Sequence, residues 1–238
     1  MDFAVVDAWW AQWLGIPVDA LLTGGVAPGD HVDHVGLLQL DRGSGVLAYG
    51  PDAYLDGLDP SGLEGPGRLD EALAAVQQHL GRRLEQVLGP AWYGYAGAAT
   101  LPRPEHPEVR RLQADDAELL EDLRAAVSPM EWAEAGLTEG ADFGWVQDSR
   151  LLAAASLGRW RDMPSVGVLT HPRWRSHGLG RSVVQEATRH ALIERPFVQY
   201  RAWTTNEASI VLGQRSGFWS YGRGVVVDVA RDERRVSP

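Results

Sequence analysis

The sequence predicts an α/β protein: strands with flanking helices over residues 105–238, preceded by a smaller α+β domain over residues 1–104. Three observations predict it. An apolar run, Val166-Gly-Val-Leu-Thr170, flows through a glycine-containing turn into an amphipathic segment. Strand-like and helix-like periodicities alternate on both sides of that unit. The segment Pro102-Arg-Pro-Glu-His-Pro107 is stiff, polar and proline-dense, which marks it as a domain boundary.

In the first domain, Asp2 can cap a helix holding Val5, Val6, Trp9, Trp10, Trp13 and Leu14, stopped by Gly15 and Pro17. Strand-like runs follow at Val35 to Leu40 and Val46 to Tyr49. From about Leu69 a stripe of Leu73, Val76, Leu80, Leu84, Val87 and Leu88 predicts a helix that Gly89-Pro90 ends. Trp92 to Ala99 then reads as a strand. This domain can be a degenerate half of the fold that follows it, although no repeat links the two sequences.

In the second domain, Val109 to Leu112 is a short strand, and Asp115 or Asp116 can cap a helix carrying Leu119, Leu120, Leu123 and Val127 on one face. Ser128-Pro129 restarts a helix through Trp132 to Leu137. Asp142 to Val146 and Leu151 to Trp160 form a hairpin turning at Asp148-Ser149. The Val166 strand, a helix to Glu194, a strand from Phe197 to Trp203, a helix opened by Asn206 and a closing strand pair around Tyr221 and Val225 to Val229 complete the order.

The turn at His171-Pro-Arg-Trp-Arg-Ser-His-Gly-Leu-Gly-Arg181 carries the chemistry. Gly178 and Gly180 lack a Cβ, so the backbone can approach phosphate oxygens closely. Val183, Val184, Ala187, Ala191 and Leu192 pack one face of the next helix, while its first turn points free N–H groups and a positive dipole end outward. A strand, such a turn and a helix N-terminus in that order favour a pyrophosphate. The spacing is neither that of a P-loop, which needs Gly-Lys-Ser/Thr, nor that of a dinucleotide fingerprint, which needs glycine at Val183.

The string Thr170-His-Pro-Arg-Trp-Arg-Ser-His-Gly-Leu-Gly180 resembles the acyl-CoA loop of the GNAT superfamily of N-acyltransferases, Arg/Gln-x-x-Gly-x-Gly/Ala after a strand. Asn206-Glu-Ala-Ser-Ile-Val-Leu-Gly-Gln-Arg-Ser-Gly-Phe218 is similar to that family's later helix, which an asparagine opens and Gly-Phe ends. The resemblance covers the second domain. It implies a GNAT-like mixed sheet and acetyl-CoA as cosubstrate. Val168, Leu169 and Thr170 along the strand edge, Arg175, Ser176, His177, Gly178, Leu179, Gly180 and Arg181 around the turn, and Asn206 and Ser209 from the later helix are the implied cofactor contacts. A backbone N–H at Val168 is implied to polarise the thioester carbonyl for direct attack by an amine of a small molecule or peptide.

The chain departs from the family at two positions. Ser165 stands where many relatives carry a glutamate, and Gly213 where many carry a tyrosine. Three groups are candidates for moving the proton instead, each with a plainer alternative: Glu131 as a solvated helix residue, His171 as a polar turn residue, Tyr221 without a motif behind it. These departures also admit a second class of function, a non-catalytic acyl-CoA-binding or protein-interaction module.

Composition narrows the field. The chain has no cysteine, which excludes disulfides, thiolate zinc sites and cysteine nucleophiles and fits a reducing cytoplasm. It has no lysine, so all 22 basic residues are arginine and a Schiff-base mechanism is excluded. A net charge of -10 argues against nucleic acid as a partner and mildly favours a cationic acceptor. Neither a signal peptide nor a membrane span is expected. His31-Val-Asp-His34 beside Asp30 has metal-like spacing but too few neighbouring ligands, so no metal is assigned. Trp9, Trp10 and Trp13 suit core packing, an acceptor pocket or a subunit contact, which leaves a homodimer open.

Overall fold

The computed structural model describes residues 1–29, 32–63, 69–81, 84–102, 108–160 and 162–229. They fall into two compact units. One comprises Met1, Gly94–Ala202 and Asn206–Ser220; the other comprises Asp2–Tyr93, Trp203–Thr205 and the chain from Tyr221 onward. These limits differ from the boundary expected at residues 104 and 105. The reason is pairing: the later half of the closing strand lies beside the strand at Val35–Leu40, with Gly222 opposite Leu40 and Val227 opposite Val35.

In the second unit, α1 (Ala4–Leu14) ends at Gly15, whose φ of 68° places it in the left-handed region that closes helices. After α2 (Val18–Thr23) come β1 (Gly25–Pro28), β2 (Val35–Leu40) and β3 (Val46–Gly50), then α3 (Asp52–Leu55), α4 (Leu69–Leu80) and β4 (Leu84–Ala96). With β10 (Trp219–Val229) the strand order is β1-β3-β2-β10-β4. Leu37, Val46, Ala48, Val225 and Val227 pack against Leu69, Ala72, Val76 and Leu80 of α4. Elsewhere in this sheet aromatic rings lie on glycines: a Cβ on Gly36 would meet the Tyr49 ring at 2.0 Å, and one on Gly224 the Tyr93 ring at 2.5 Å. Two expectations are corrected here. The helix from Leu69 stops at Leu80, because Gly81 at φ 55° turns the chain, and β4 starts at Leu84, continues through Gly89-Pro90 and ends at Ala96. The closing strand pair is one strand, β10.

In the first unit, β5 (Val109–Arg111), α5 (Ala117–Ala125), α6 (Pro129–Glu134), β6 (Phe143–Gln147), β7 (Arg150–Trp160), β8 (Met163–Thr170), α7 (Leu179–Ala191), β9 (Val198–Trp203) and α8 (Glu207–Arg215) follow the expected order. The β6–β7 turn needs left-handed backbone at Asp148 (φ 49°) and Ser149 (φ 57°), which short polar side chains tolerate. Strand order is β9-β8-β7-β6-β5; β8 and β9 are parallel and the other pairs antiparallel. Leu169 packs with Leu123, Trp132 and Leu137 from the α5–α6 side. The side chains of Val168 and Thr170, on the opposite strand face, lie against Gly180 at the start of α7.

Candidate functional site

The site begins where two parallel strands part. β8 and β9 pair only at Ser165 with Gln199 and Val166 with Tyr200. Beyond that point β8 runs on to Thr170 without β9. Main-chain direction along β8 follows from its other neighbour: the His171 N–H donates to Leu152 O at 2.8 Å, so alternate pairs back along the ladder, Leu169 with Ala154 and Gly167 with Ser156, are the hydrogen-bonded ones. Val168 and Thr170 fall between them. Their N–H and C=O groups therefore face away from β7, into the gap left by β9.

A cavity of about 800 Å³ occupies that gap. Every residue expected at the cofactor position lines it: Val168 to Thr170, Arg175 to Arg181, Asn206 and Ser209. The turn is built for close backbone approach. Ser176 (φ 67°) and Gly178 (φ 85°) both adopt left-handed backbone, and a Cβ on Gly180 would meet Thr170 Oγ1 at 2.7 Å and Leu212 Cδ1 at 3.0 Å. Gly178 O accepts from Ser182 N, the first helical bond of α7, so the amides of Leu179, Gly180 and Arg181 precede any intrahelical acceptor. Across the gap, Asn206 Oδ1 accepts from Ser209 N at 3.1 Å and caps α8.

The charged groups sort into two kinds. Arg175 is tied down: its Nη2 donates to Glu131 Oε1 at 2.9 Å and its Nε lies 3.4 Å from Thr170 O. Arg181 and Arg215 line the cavity and make no ion pair among the described residues. Glu131, held by Arg175 and by the Ser128 N–H in the cap of α6, has its carboxyl below the usual carboxylate range. That makes it a weak base.

Two of the candidate proton carriers lie elsewhere. His171 does not line the cavity; its Nδ1 accepts from Arg173 N at 3.2 Å and caps the short turn after β8. Tyr221 belongs to the other compact unit, where it is fully buried and its hydroxyl donates to Asp7 Oδ1 at 2.9 Å. His177 lines the cavity with its Nδ1–H donating to Arg175 O at 2.8 Å.

Sequence reasoning missed Tyr200 and Arg215. Tyr200 lies on β9 beside the parting point, its hydroxyl 2.8 Å from Ser209 Oγ, and burial pushes its phenol up to about 12. It stays protonated at neutral pH. Its only sequence signal was a place in β9, one strand away from the turn.

No protein-family model matches the sequence, and comparison with curated proteins finds no match. Comparison with solved structures does. An acetyltransferase from the GNAT family of Colwellia psychrerythraea superposes with a TM-score of 0.51 at 18% identity, over 69% of this chain and 63% of that one. A structural-genomics protein from Drosophila gives 0.50 at 16% identity, over 81% of this chain and 73% of that one. The chain has the GNAT fold. The likeness spans less than two thirds of the Colwellia protein's own length, and at this identity it speaks to fold alone.

Within the GNAT fold of this chain, no group of three or more histidine, cysteine or acidic side chains among the described residues is arranged to hold a metal ion. Asp30 and His31 lie outside the described residues. No helix among the described residues is long and apolar enough to cross a membrane.

Proposed function

We propose that the protein is an acyl-CoA-dependent N-acyltransferase that uses acetyl-CoA to acetylate a primary amine of a small molecule or peptide, acting in the cytoplasm. The observation that carries this reading is the meeting, around one cavity, of the outward strand edge at Val168 and Thr170, where Thr170 O accepts from Arg175 Nε, with the first-turn amides of α7, which precede any intrahelical acceptor. The residues fit the cosubstrate on their own chemistry. Gly178 leaves the turn backbone bare, Gly180 lets α7 start close against Thr170 and Leu212, the α7 amides and dipole suit a pyrophosphate, and Arg181 and Arg215 add exposed positive charge in a chain of net charge -10.

When bound, acetyl-CoA supplies an activated acyl thioester. The chain's own part is positioning and charge. The Val168 N–H is a fixed donor of the kind that stabilises negative charge developing on an acyl oxygen. Tyr200, whose phenol is held protonated and whose hydroxyl meets Ser209 Oγ, would help hold the thioester end of the cosubstrate by hydrogen bonding rather than by giving up its proton. Ser165 replaces the carboxylate of many relatives and the pull of Arg175 weakens Glu131, so neither serves as a dedicated base; Glu134 and His177 are the other acid–base side chains that line the cavity. In this reading the amine loses its proton to water, and turnover rises with pH towards the ionisation of the amine itself.

Calorimetry with acetyl-CoA, followed by release of free CoA across an amine panel, tests the reading. Binding that Gly178→Val abolishes in a folded variant, with CoA release for at least one amine, is the expected result. Absence of acetyl-CoA binding overturns it. Binding without turnover for any amine supports the second reading, a non-catalytic acyl-CoA-binding module, which the residues at Ser165 and Gly213 favour.

A further inference from the structure

A second cavity, of about 690 Å³, opens in the same unit beneath the far half of β7. Its walls come from the start of α5, the loop after α6 and the β7 residues Ser156 to Arg159. The sheet is incomplete here. β6 pairs with β7 only as far as Phe143 opposite Ala155, whereas β7 continues to Trp160 beside β8. Among the described residues no strand covers β7 beyond Ala155 on that side.

The unused main-chain groups can be named. The β7–β8 ladder that sets Val168 outward also makes Leu157–Val166 and Arg159–Pro164 its non-hydrogen-bonded pairs. Pro164, which has no N–H, is at home in such a position. So is Leu157, whose N–H turns away from β8 to Asp142 Oδ2 at 2.6 Å. What is left is an open edge offering Leu157 C=O, Arg159 N–H and Arg159 C=O. An unpaired edge of this kind is a template for a further strand.

The charge beside that edge selects the strand. Asp116, Glu139 and Asp142 line the cavity against Arg159. Arg110 neutralises Asp116 through two hydrogen bonds of 2.7 and 2.5 Å, so Glu139 and Asp142 outweigh the single remaining cation. Glycine at 158 leaves the approach clear, since a Cβ there would meet only Ser165 O, at 3.8 Å.

We infer that the β7 edge at Leu157–Arg159 and the acid-lined cavity beneath it bind an extended peptide segment, which pairs with the edge as an added strand and places a basic side chain in the cavity. This goes beyond the proposed acetyl transfer and does not depend on it. It identifies a class of partner, basic peptides, from main-chain and charge complementarity alone.

The probes are fluorescein-labelled pentapeptides with arginine or lysine at alternate positions, with alanine and glutamate counterparts, titrated by polarisation without acetyl-CoA. Saturable binding by the basic peptides only is expected, weakened several-fold by Glu139→Gln. Arg159→Pro removes the outward N–H without touching the β7–β8 ladder and should weaken binding tenfold or more, whereas Arg159→Ala, which keeps that N–H, should not weaken it. If Arg159→Pro fails to fold, hydrogen exchange at the Arg159 amide of the parent protein decides: bound peptide slows it. No saturable binding by any basic peptide up to about 1 mM, equal affinity in the proline and alanine variants, or unchanged Arg159 exchange overturns the inference. Because acetyl-CoA is absent throughout, failure here leaves the cofactor reading standing, and failure of acetyl-CoA to bind leaves this surface standing.

Discussion

The two cavities lie towards opposite ends of the β7–β8 pair and have opposite characters. Where β8 ends, a strand runs into a turn and a helix N-terminus, so the backbone itself presents N–H groups and Arg181 and Arg215 add to them. Where β8 begins, the chain returns as a hairpin, and loop carboxylates sit beside a strand edge. In the two proposals made above, the same two strands thus serve an anion at one end and a cation at the other. Both proposals rest on local backbone polarity rather than on the net charge of -10.

Gly167 joins the two ends, and changing it should have the largest effect. A Cβ there would meet Ala135 O at 2.1 Å and Ser156 Oγ at 2.7 Å. Ala135 lines the first cavity; Gly136 and Ser156 line the second, tied by a 2.8 Å bond from Ser156 Oγ to Gly136 O. Gly167→Ala must therefore lift the end of α6 off β8, at a cost of about 3 kcal/mol, the upper range for overpacking. Urea denaturation should show a lower midpoint with an unchanged slope, and both ligands should bind more weakly. A loss below about 1 kcal/mol, within the usual range of tolerated core changes, would show that the two cavities are not coupled through this contact.

Gly178→Ala separates the ends. The left-handed backbone at φ 85° costs a residue with a Cβ about 1–2 kcal/mol. Acetyl-CoA affinity, read by calorimetry, should fall about tenfold if that strain opposes the bound turn. Basic-peptide affinity should not change. Equal losses for both ligands would mean that the variant damages the fold rather than the turn.

What could be read before the fold was known follows the same division. The turn from Arg175 to Arg181 and the Asn206 cap are local, since their geometry is set by residues a few positions apart. The turn at Asp148-Ser149 was visible for the same reason. Tyr200 was not, because an aromatic in a strand looks like core until β8 and β9 are seen to part. His171 and Tyr221 were named by residue type alone, and the structure adds only their places: one caps a turn and the other bonds Asp7 in the other unit. The stretch from Leu84 to Leu88 fitted the helical stripe from Leu69, whereas the helix stops at Leu80, before Gly81 at φ 55°, and Leu84 opens a strand. The open edge of β7 depends on where β6 stops pairing, which no spacing in the sequence records.

A smaller effect belongs to the cations. Replacing Arg181 or Arg215 by glutamine should weaken acetyl-CoA severalfold and flatten the dependence of its affinity on salt, because exposed charges act mainly through a screened field. Peptide affinity serves as the control. A loss that is the same at low and high salt would assign the side chain a packing role instead.

The smallest expected effect, and the sharpest test of the acidic end, concerns Asp116. Hydrogen bonds from Arg110 and then from the Gln113 N–H hold its carboxyl at about 2, below the usual range near 4. A carboxyl lowered in the folded state contributes stability that is present above its unfolded value and lost as pH falls through the folded one. Asp116→Asn should thus lower the urea midpoint at pH 6, and the gap to the parent protein should close as pH falls from about 4 to about 2. The same change frees the Arg110 guanidinium beside the acid-lined cavity. Basic peptides should then bind the variant more weakly, while acetyl-CoA binding at the other end stays as it was. A midpoint gap that persists unchanged at low pH would mean that Asp116 contributes through shape rather than charge, and unchanged peptide affinity would remove Arg110 from the balance that makes this end acidic.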